Sequence, residues 1–447
     1  METFSSRLEM QAEQVWAANW RDDHTAASAT NYPHQWLQDS VYIAEGLRWL
    51  DAEKAAQELN TLLAAQWQNG MLPHQVFTRG RLGGEPQLNL DYLVWGSRRN
   101  PDAPRDTLTS GITQPPVLAD AVWRVGERMS GRRRHEFFQE TVPKLANYHT
   151  WIYRERDLND SGLMSAVHPW ETGMDNSPPW ARHMQAGEHS ALTFAAGKLA
   201  TGGLINRLRR DIRETDATQR TSNITNAANA NAALRLRHLK YDSAQMRARH
   251  SPYVEDIAMN SILIRNNTIL CELAASSGHR LSSDLTAKMA QTERNLNQLL
   301  DDETRLYFSR DALTGEPWKI PTIASLLPIY AGSLAVGRTA KLAEHLKNSA
   351  SFASQFSIPS VPIDSPYFQE LSMWSGPVWL NTNHLVLDGL ERAGYADQAE
   401  ALSESTLLMV AKNGMYEYFS ALTGRGLGVQ NFSWTAALTI DLLHRAN

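Results

Sequence analysis

The chain is almost without cysteine: among 447 residues there is one, Cys271. That excludes an internal disulfide and any cysteine-based zinc cluster. Cys271 lies in the amphipathic stretch 262–273, which predicts a helix with the thiol in the core. No uninterrupted run of about 18 apolar residues exists, so no membrane span is expected. Residues 1–9 carry two acidic side chains and no apolar centre, unlike a secretory signal. Positive charge is not in excess. The 43 Lys and Arg face 48 Asp and Glu, for a net charge of -5, so no nucleic-acid partner is expected. The runs Arg132-Arg133-Arg134 and Arg207-Leu208-Arg209-Arg210 are read as solvated helix faces. No His-Glu-x-x-His helix, Gly-Lys-Ser/Thr phosphate loop or Gly-x-Ser-x-Gly elbow occurs. The expectation is a cytoplasmic globular protein without membrane contact, with homo-oligomerisation left open.

What the chain does have is helical periodicity. Residues 52–68, 142–153, 281–300, 340–356 and 396–411 carry apolar side chains at helical spacing. Strand-like alternation is scarce, so the fold class is all-α. A unit also recurs: a helix, a turn rich in Gly or Asp, then a short apolar or aromatic segment. Its instances are 69–74, 161–164, 304–308 and 413–418, and two of them continue into Thr-Gly turns at Thr314-Gly315 and Thr423-Gly424. Helical hairpins that repeat must stack to bury their faces, in a toroid or an open solenoid. No linker interrupts the pattern, so 1–447 is read as one domain. Residues 181–250 form an expected insertion, a lid-like segment, because 181–233 departs from the pattern with Thr201-Gly202-Gly203 and a small polar run at 222–233.

The 14 tryptophans are the compositional oddity. Trp36, Trp67, Trp151, Trp170, Trp180, Trp374, Trp379 and Trp434 fall near breaks between helical patterns. The densest segment is 168–180, with Trp170, Glu171, Asp175, Trp180 and prolines at 169, 178 and 179. Those prolines make it a loop or helix edge, where catalytic groups are displayed. A flat apolar ring beside carboxylates suits a sugar, which has apolar faces and a polar rim. Further loop motifs are Asn31–Asp39 with Tyr32, Trp36 and Asp39, 109–116 with Gln114, and 373–383 with Trp374 and Trp379. Asp39 reads equally as a helix N-cap. Glu417, between Tyr416 and Tyr418, occupies a loop equivalent to the one leading to Asp175, and Trp434 follows. A ring of hairpins brings Asp175 and Glu417 face to face. Two opposed carboxylates with aromatic platforms point to glycoside hydrolysis. A helical toroid that binds a glycan or a protein without catalysis is the alternative. His34, His74 and His168 are read as loop histidines bonded to backbone or sugar. No metal and no cofactor is expected.

The motifs resemble glycoside hydrolase family 63. The resemblance rests on 168–180, on Gln66–His74, on 374–383, and on Glu417 with 431–434, in the family's order along nearly the whole chain. It implies an (α/α)6 barrel and an inverting mechanism, with Asp175 as general acid and Glu417 as general base. Glu171 is then a sugar-binding or a structural carboxylate. The length is similar to that of short bacterial members that cleave glucose or mannose, α-linked, from glycerate. In those members an Arg and a Tyr six positions later help hold the glycerate; Arg235 and Tyr241 stand at that spacing, and Gln114 also matches. The chain departs from the family at Ser375, where an Arg is usual, and at Met373, where a Tyr is expected. Trp36-Leu37-Gln38-Asp39 replaces a Trp-x-Trp-Asp pattern. These changes touch the sugar pocket and leave the acid and base in place.

Overall fold

The computed structural model describes residues 4–77, 81–82, 85–86, 90–186, 215–249 and 252–445. Thr201-Gly202-Gly203, the Arg207–Arg210 run and most of the first half of the expected insertion lie outside the described residues. The chain is mainly helical. None of the described helices is long and apolar enough to cross a membrane.

Six helices pack one upon the next: Leu37–Leu47, Leu118–Gly126, Ile257–Ser277, Pro328–Ala331, Leu380–Arg392 and Ser433–Arg445. The last packs against the first and so completes a cycle. Several of these inner helices are buried on nearly every side, polar residues included. All residues of Leu37–Leu47 are buried, as are the first eleven residues of both Leu380–Arg392 and Ser433–Arg445. Such a pattern belongs to a helix with neighbours all round. Outer helices cover them: Phe4–Asn19 lies on Ser433–Arg445, Ala52–Ala64 on Leu37–Leu47, Gly131–Arg156 on Ile257–Ser277, and Ala396–Asn413 on Leu380–Arg392.

The recurring turn is the joint between an outer helix and a short strand. Gly70, Gly162, Arg305 and Gly414 occupy the same place in it, all with positive φ (101°, 76°, 61° and 92°). Three of the four are glycine because a Cβ is penalised there. Arg305 bears that cost, with only an exposed ion pair to Asp302 nearby. Arg305→Gly is therefore expected to raise stability by up to about 1 kcal/mol, read as a higher Tm. An unchanged or lower Tm would show that this turn is not strained. The strands that follow are short and antiparallel. Gln75–Phe77 sits between Gln35–Trp36 and Leu108–Thr109; Val254–Glu255 sits between Ser165–Ala166 and Arg310–Asp311; and Tyr416–Phe419 pairs with Gly426–Gln430.

Three expectations need correction. Cys271 is exposed, not in the core. Helix Ile257–Ser277 carries a solvent stripe through Thr268, Cys271, Glu272 and Ala275 at helical spacing, and the cysteine falls on it. The helix expected over 340–356 is Val336–His345. Beyond it Asn348 and Ser354 bond nearby backbone N–H groups, of Ala350 and Phe356, in competition with helix. Asp39 is not an N-cap: helix Leu37–Leu47 starts after Trp36, and Asp39 lies in its first turn. The run at 132–134 does lie on the surface, paired with Glu136, Glu53 and Glu127.

Candidate active site

The loops singled out by sequence gather where the short strands run into the inner helices. Trp36 ends a strand and caps helix Leu37–Leu47. Asp256 follows Val254–Glu255 and caps Ile257–Ser277 by accepting from the Ala258 and Met259 N–H groups. The Tyr416–Phe419/Gly426–Gln430 hairpin leads directly into Ser433–Arg445. The N-terminal ends of the inner helices thus form the floor beneath these loops.

Glu417 is on the first strand of that hairpin and 2 % exposed. Its Oε1 accepts from Tyr32 Oη at 3.1 Å and from Arg220 Nη1 at 2.9 Å; its Oε2 accepts from Arg220 Nη2 at 2.7 Å and from Val429 N–H at 3.0 Å. Each oxygen therefore has two donors, which fills its two lone pairs. Gly428 makes room for this carboxylate: a Cβ there would stand 2.5 Å from Oε2, and its φ is 71°.

Arg220 was not among the residues that sequence singled out. It sits on a short segment that begins with the turn Ala217–Gln219 and is fastened on one side to the hairpin and on the other to Met373. Gln219 Oε1 accepts from Gly428 N–H at 2.8 Å, its carbonyl accepts from Tyr418 Oη, and Thr221 Oγ1 reaches Met373 Sδ at 3.4 Å. The two carboxylate oxygens and Tyr32 Oη hold both Nη atoms, and Thr215 Oγ1 accepts from Nε. Nothing local in Gln219-Arg220-Thr221 signals this, because its partner is 197 positions away.

Asp175 is half-buried, yet protein surrounds its carboxyl group. Burial and the nearby Glu417 push its pKa up to about 7, with the Arg220 charge opposing. Asp39 is raised to about 8, by burial and then by Glu417, with Glu58 and Asp175 adding to it. Three carboxyl groups from distant parts of the chain thus sense one another, and two of them hold their protons near neutrality.

Around them runs a chain of aromatic rings. Trp36 meets Tyr32 at 6.1 Å and His74 at 5.1 Å between centroids. In one direction the chain continues through Trp95 to Trp170 (5.1 and 5.7 Å). In the other it passes from Tyr32 to Phe432, Trp434 and Trp379 (6.0, 5.1 and 5.7 Å). Trp379 stacks between Trp374 at 4.0 Å and Tyr418 at 4.5 Å. The indole N–H groups of Trp36 and Trp434 are enclosed and have no hydrogen-bond acceptor among the described residues, which leaves two donors for a ligand. His74 bonds Ser110 Oγ at 2.6 Å, and burial holds it neutral. His168 Nδ1 accepts from Trp170 N–H, so its Nε2 carries the hydrogen and donates to the Asn229 carbonyl. His34 packs edge-on against Phe77 at 5.1 Å.

Other expected site residues are placed elsewhere. Glu171 is 0 % exposed and accepts from Arg156 Nη2, Thr113 N–H and Val167 N–H. It secures the loop from beneath, which fits the structural of the two roles that the resemblance allows. Gln114 is buried, with its Oε1 on the Gln38 N–H at 3.0 Å, so its carbonyl end is committed to the helix start. Arg235 and Tyr241 are not brought to the carboxylates. Arg235 lies in the last turn of Asn223–His238, and none of its hydrogen bonds among the described residues reaches the site. Tyr241 is buried between Gly111 and Trp67, and its hydroxyl donates to the Trp95 carbonyl. Arg235 belongs to helix Asn223–His238, and Tyr241 packs just beyond its end. Ser375 Oγ donates to the Asn176 carbonyl at 3.0 Å, while Asn176 Oδ1 accepts from Trp374 N–H at 2.9 Å. The loop carrying Asp175 is thereby latched to the one carrying Trp374. Met373 is buried with φ 28°, a strained value for a residue with a side chain.

Carboxyl groups on opposing loops, with a chain of aromatic rings around them, define a carbohydrate-processing site. A family model for the mannosylglycerate hydrolase MGH1-like glycoside hydrolase domain matches residues 32–435. The chain belongs to this family of glycoside hydrolases. It is 35 % identical over 441 residues to a mannosylglycerate hydrolase of Thermus thermophilus, covering 96 % of this chain and 99 % of that one. It is 32 % identical over 439 residues to a glucosylglycerate hydrolase of Mycolicibacterium hassiacum, covering 94 % of each. The crystal structure of a family 63 mannosylglycerate hydrolase from Thermus thermophilus, in complex with Tris and D-glycerate, superposes with a TM-score of 0.85 at 33 % identity, covering 97 % of this chain and 99 % of that one.

Proposed function

We propose that this protein is an inverting α-glycosidase that releases glucose or mannose from a small acidic aglycone such as glycerate. Asp175 is the general acid and Glu417 the general base. The reading rests above all on the raised pKa of Asp175 and on the hydrogen bonds that hold Glu417. Asp175, with its pKa pushed up to about 7, keeps a proton for the leaving oxygen at neutral pH. Glu417 sits in a two-point ion pair with Arg220 and is the acceptor of the pair. The cycle of six inner helices supports an (α/α)6 barrel, and the seating of 215–222 on the hairpin supports a lid within 181–250. Relatives named for mannosylglycerate and glucosylglycerate support the substrate class.

With all four donors in place, Glu417 has no lone pair left for a water. A donor must leave before it can take a proton, and Arg220 is the one that an incoming carboxylate can attract. In this mechanism the aglycone's carboxylate draws Arg220 away, which both anchors the leaving group and frees the base. Water then attacks the anomeric carbon from the face opposite the departing oxygen. Its proton goes to Glu417, while Asp175 gives its proton to the aglycone. Trp36 and Trp434 offer their indole N–H groups to hydroxyls, and Asp39, protonated near neutrality, can donate one hydrogen bond and accept another.

Inversion is tested by following the first-formed anomer by NMR. An α-glycoside is expected to yield the β-hexose first. A first-formed α-hexose would mean that Glu417 attacks the sugar directly, and the mechanism would be dropped.

A further inference from the structure

A second cavity, of about 460 Å³, opens at the far ends of helices Leu37–Leu47 and Leu118–Gly126. Arg48, Arg124, Arg128 and Arg265 line it, together with Trp49, Trp123 and the carboxylates of Asp120 and Glu127. It is remote from the carboxylates described above. Arg48 follows Asp39 by nine positions along one helix, a rise of roughly 14 Å.

Each acidic group at this end of the barrel is already engaged. Asp120 takes Arg124 Nε at 3.0 Å and Tyr330 Oη at 2.8 Å. Asp388 takes Arg124 and Arg445 at 2.8 and 3.0 Å, and Asp441 takes Arg48 and Arg445 at 2.6 and 2.8 Å. Glu127, on the rim, is paired with Arg134 at 2.9 Å. Among the described residues neither Arg128 nor Arg265 has an ion pair, although the Arg265 charge is near enough to Asp120 to help lower its pKa. Arg265 Nε is also enclosed without any hydrogen-bond acceptor among them. Arg128 is held in place, its guanidinium 4.4 Å from the Trp49 ring centroid. An enclosed guanidinium donor with no acceptor costs stability unless something fills the role. Both guanidinium-bearing side chains line a cavity of ligand size with an aromatic wall.

We propose that this cavity is a binding site for a small organic molecule bearing a multivalent oxyanion, phosphate or polycarboxylate, held by Arg265 and Arg128. Guanidinium groups match such anions with paired, charge-assisted hydrogen bonds. A bare phosphate would leave most of the volume empty, so the occupant carries an organic body that lies along Trp123.

The test is calorimetric titration of the intact protein at constant ionic strength, with glucose 6-phosphate, citrate and pyrophosphate as probes. At least one organic probe is expected to bind with one-to-one stoichiometry and more tightly than pyrophosphate. Arg265→Gln is expected to weaken it tenfold or more, and Arg128→Gln severalfold. Neither change breaks an ion pair, so the variants are expected to fold; a thermal melt verifies this. Arg132→Gln, on the surface and paired with Glu136, is expected to leave binding unchanged. Preference for glucose 6-phosphate over citrate would identify a phosphate ester, and the reverse a polycarboxylate. The proposal fails if no probe saturates, if Arg132→Gln weakens binding as much as Arg265→Gln, or if glycerate competes with the probe, which would place it in the catalytic pocket.

Discussion

Asp175→Asn and Glu417→Gln are each expected to lower kcat/KM by at least about 10³-fold, because general acid and base contribute roughly 10²–10⁴ apiece and the leaving oxygen is poor. Their effects on stability should differ in sign. Asp175 is protonated in the folded protein up to about pH 7, whereas its unfolded form ionises near 3.8. A raised carboxyl pKa means that stability is lost as pH rises between those two values. The Asn variant escapes that loss. Its Tm relative to wild type should climb from pH 4 to pH 7 and level off above, by up to roughly 4 kcal/mol in stability. Glu417→Gln instead leaves the Arg220 charge buried and unpaired, at a cost of about 3–5 kcal/mol, and its Tm should fall. Activity of the wild type should decline above about pH 7 as Asp175 ionises. Near-wild-type turnover in either variant would overturn the assignment. A flat stability difference across pH 4–7 for Asp175→Asn would show that this carboxyl is not protonated in the free protein.

Arg220→Ala is expected to cost an acidic substrate roughly ten- to a hundredfold more kcat/KM than a neutral glucoside of similar size, since a charge-assisted hydrogen bond contributes about 1.5–3 kcal/mol. The loss of Arg220 as a partner of Glu417, which both positions the base and occupies its lone pairs, is common to the two substrates, so the difference between them measures the contact with the aglycone. Arg235→Ala should leave both substrates within about twofold of wild type, because its hydrogen bonds do not reach the site. Equal losses on the two substrates in Arg220→Ala would make Arg220 a positioning residue for Glu417 alone, and the acidic aglycone would be abandoned in favour of a neutral one. Selective loss on the acidic substrate in Arg235→Ala would return the role to the residue that spacing suggested.

Legibility followed the range of the interaction. The recurring turn was visible because its requirement is local: a positive φ after each outer helix selects glycine in three of four instances. The loops bearing Asp175, Glu417 and the tryptophans were visible because proline and aromatic residues concentrated there against helical periodicity. The roles of Glu171 and Gln114 were not separable from sequence. A carboxylate in an aromatic loop reads alike whether it points into the cavity or, as Glu171 does, down to Arg156. Cys271 was misplaced because an inner helix can still carry one solvent stripe.

By itself the sequence determined the mainly helical character, the repeated hairpin and the absence of an internal disulfide, and it singled out the two carboxylates to which the chemistry is assigned. All of these are written in composition or in patterns a few residues long. Only the tertiary structure decided which arginine meets the carboxylates. Arg220 and Glu417 are 197 positions apart, Tyr32 and Glu417 385, and no local rule links them. It also decided the protonation of Asp175 and Asp39. Each is an ordinary aspartate in sequence, and the shift arises from burial beside like charges, which exists only once the helices have closed on one another.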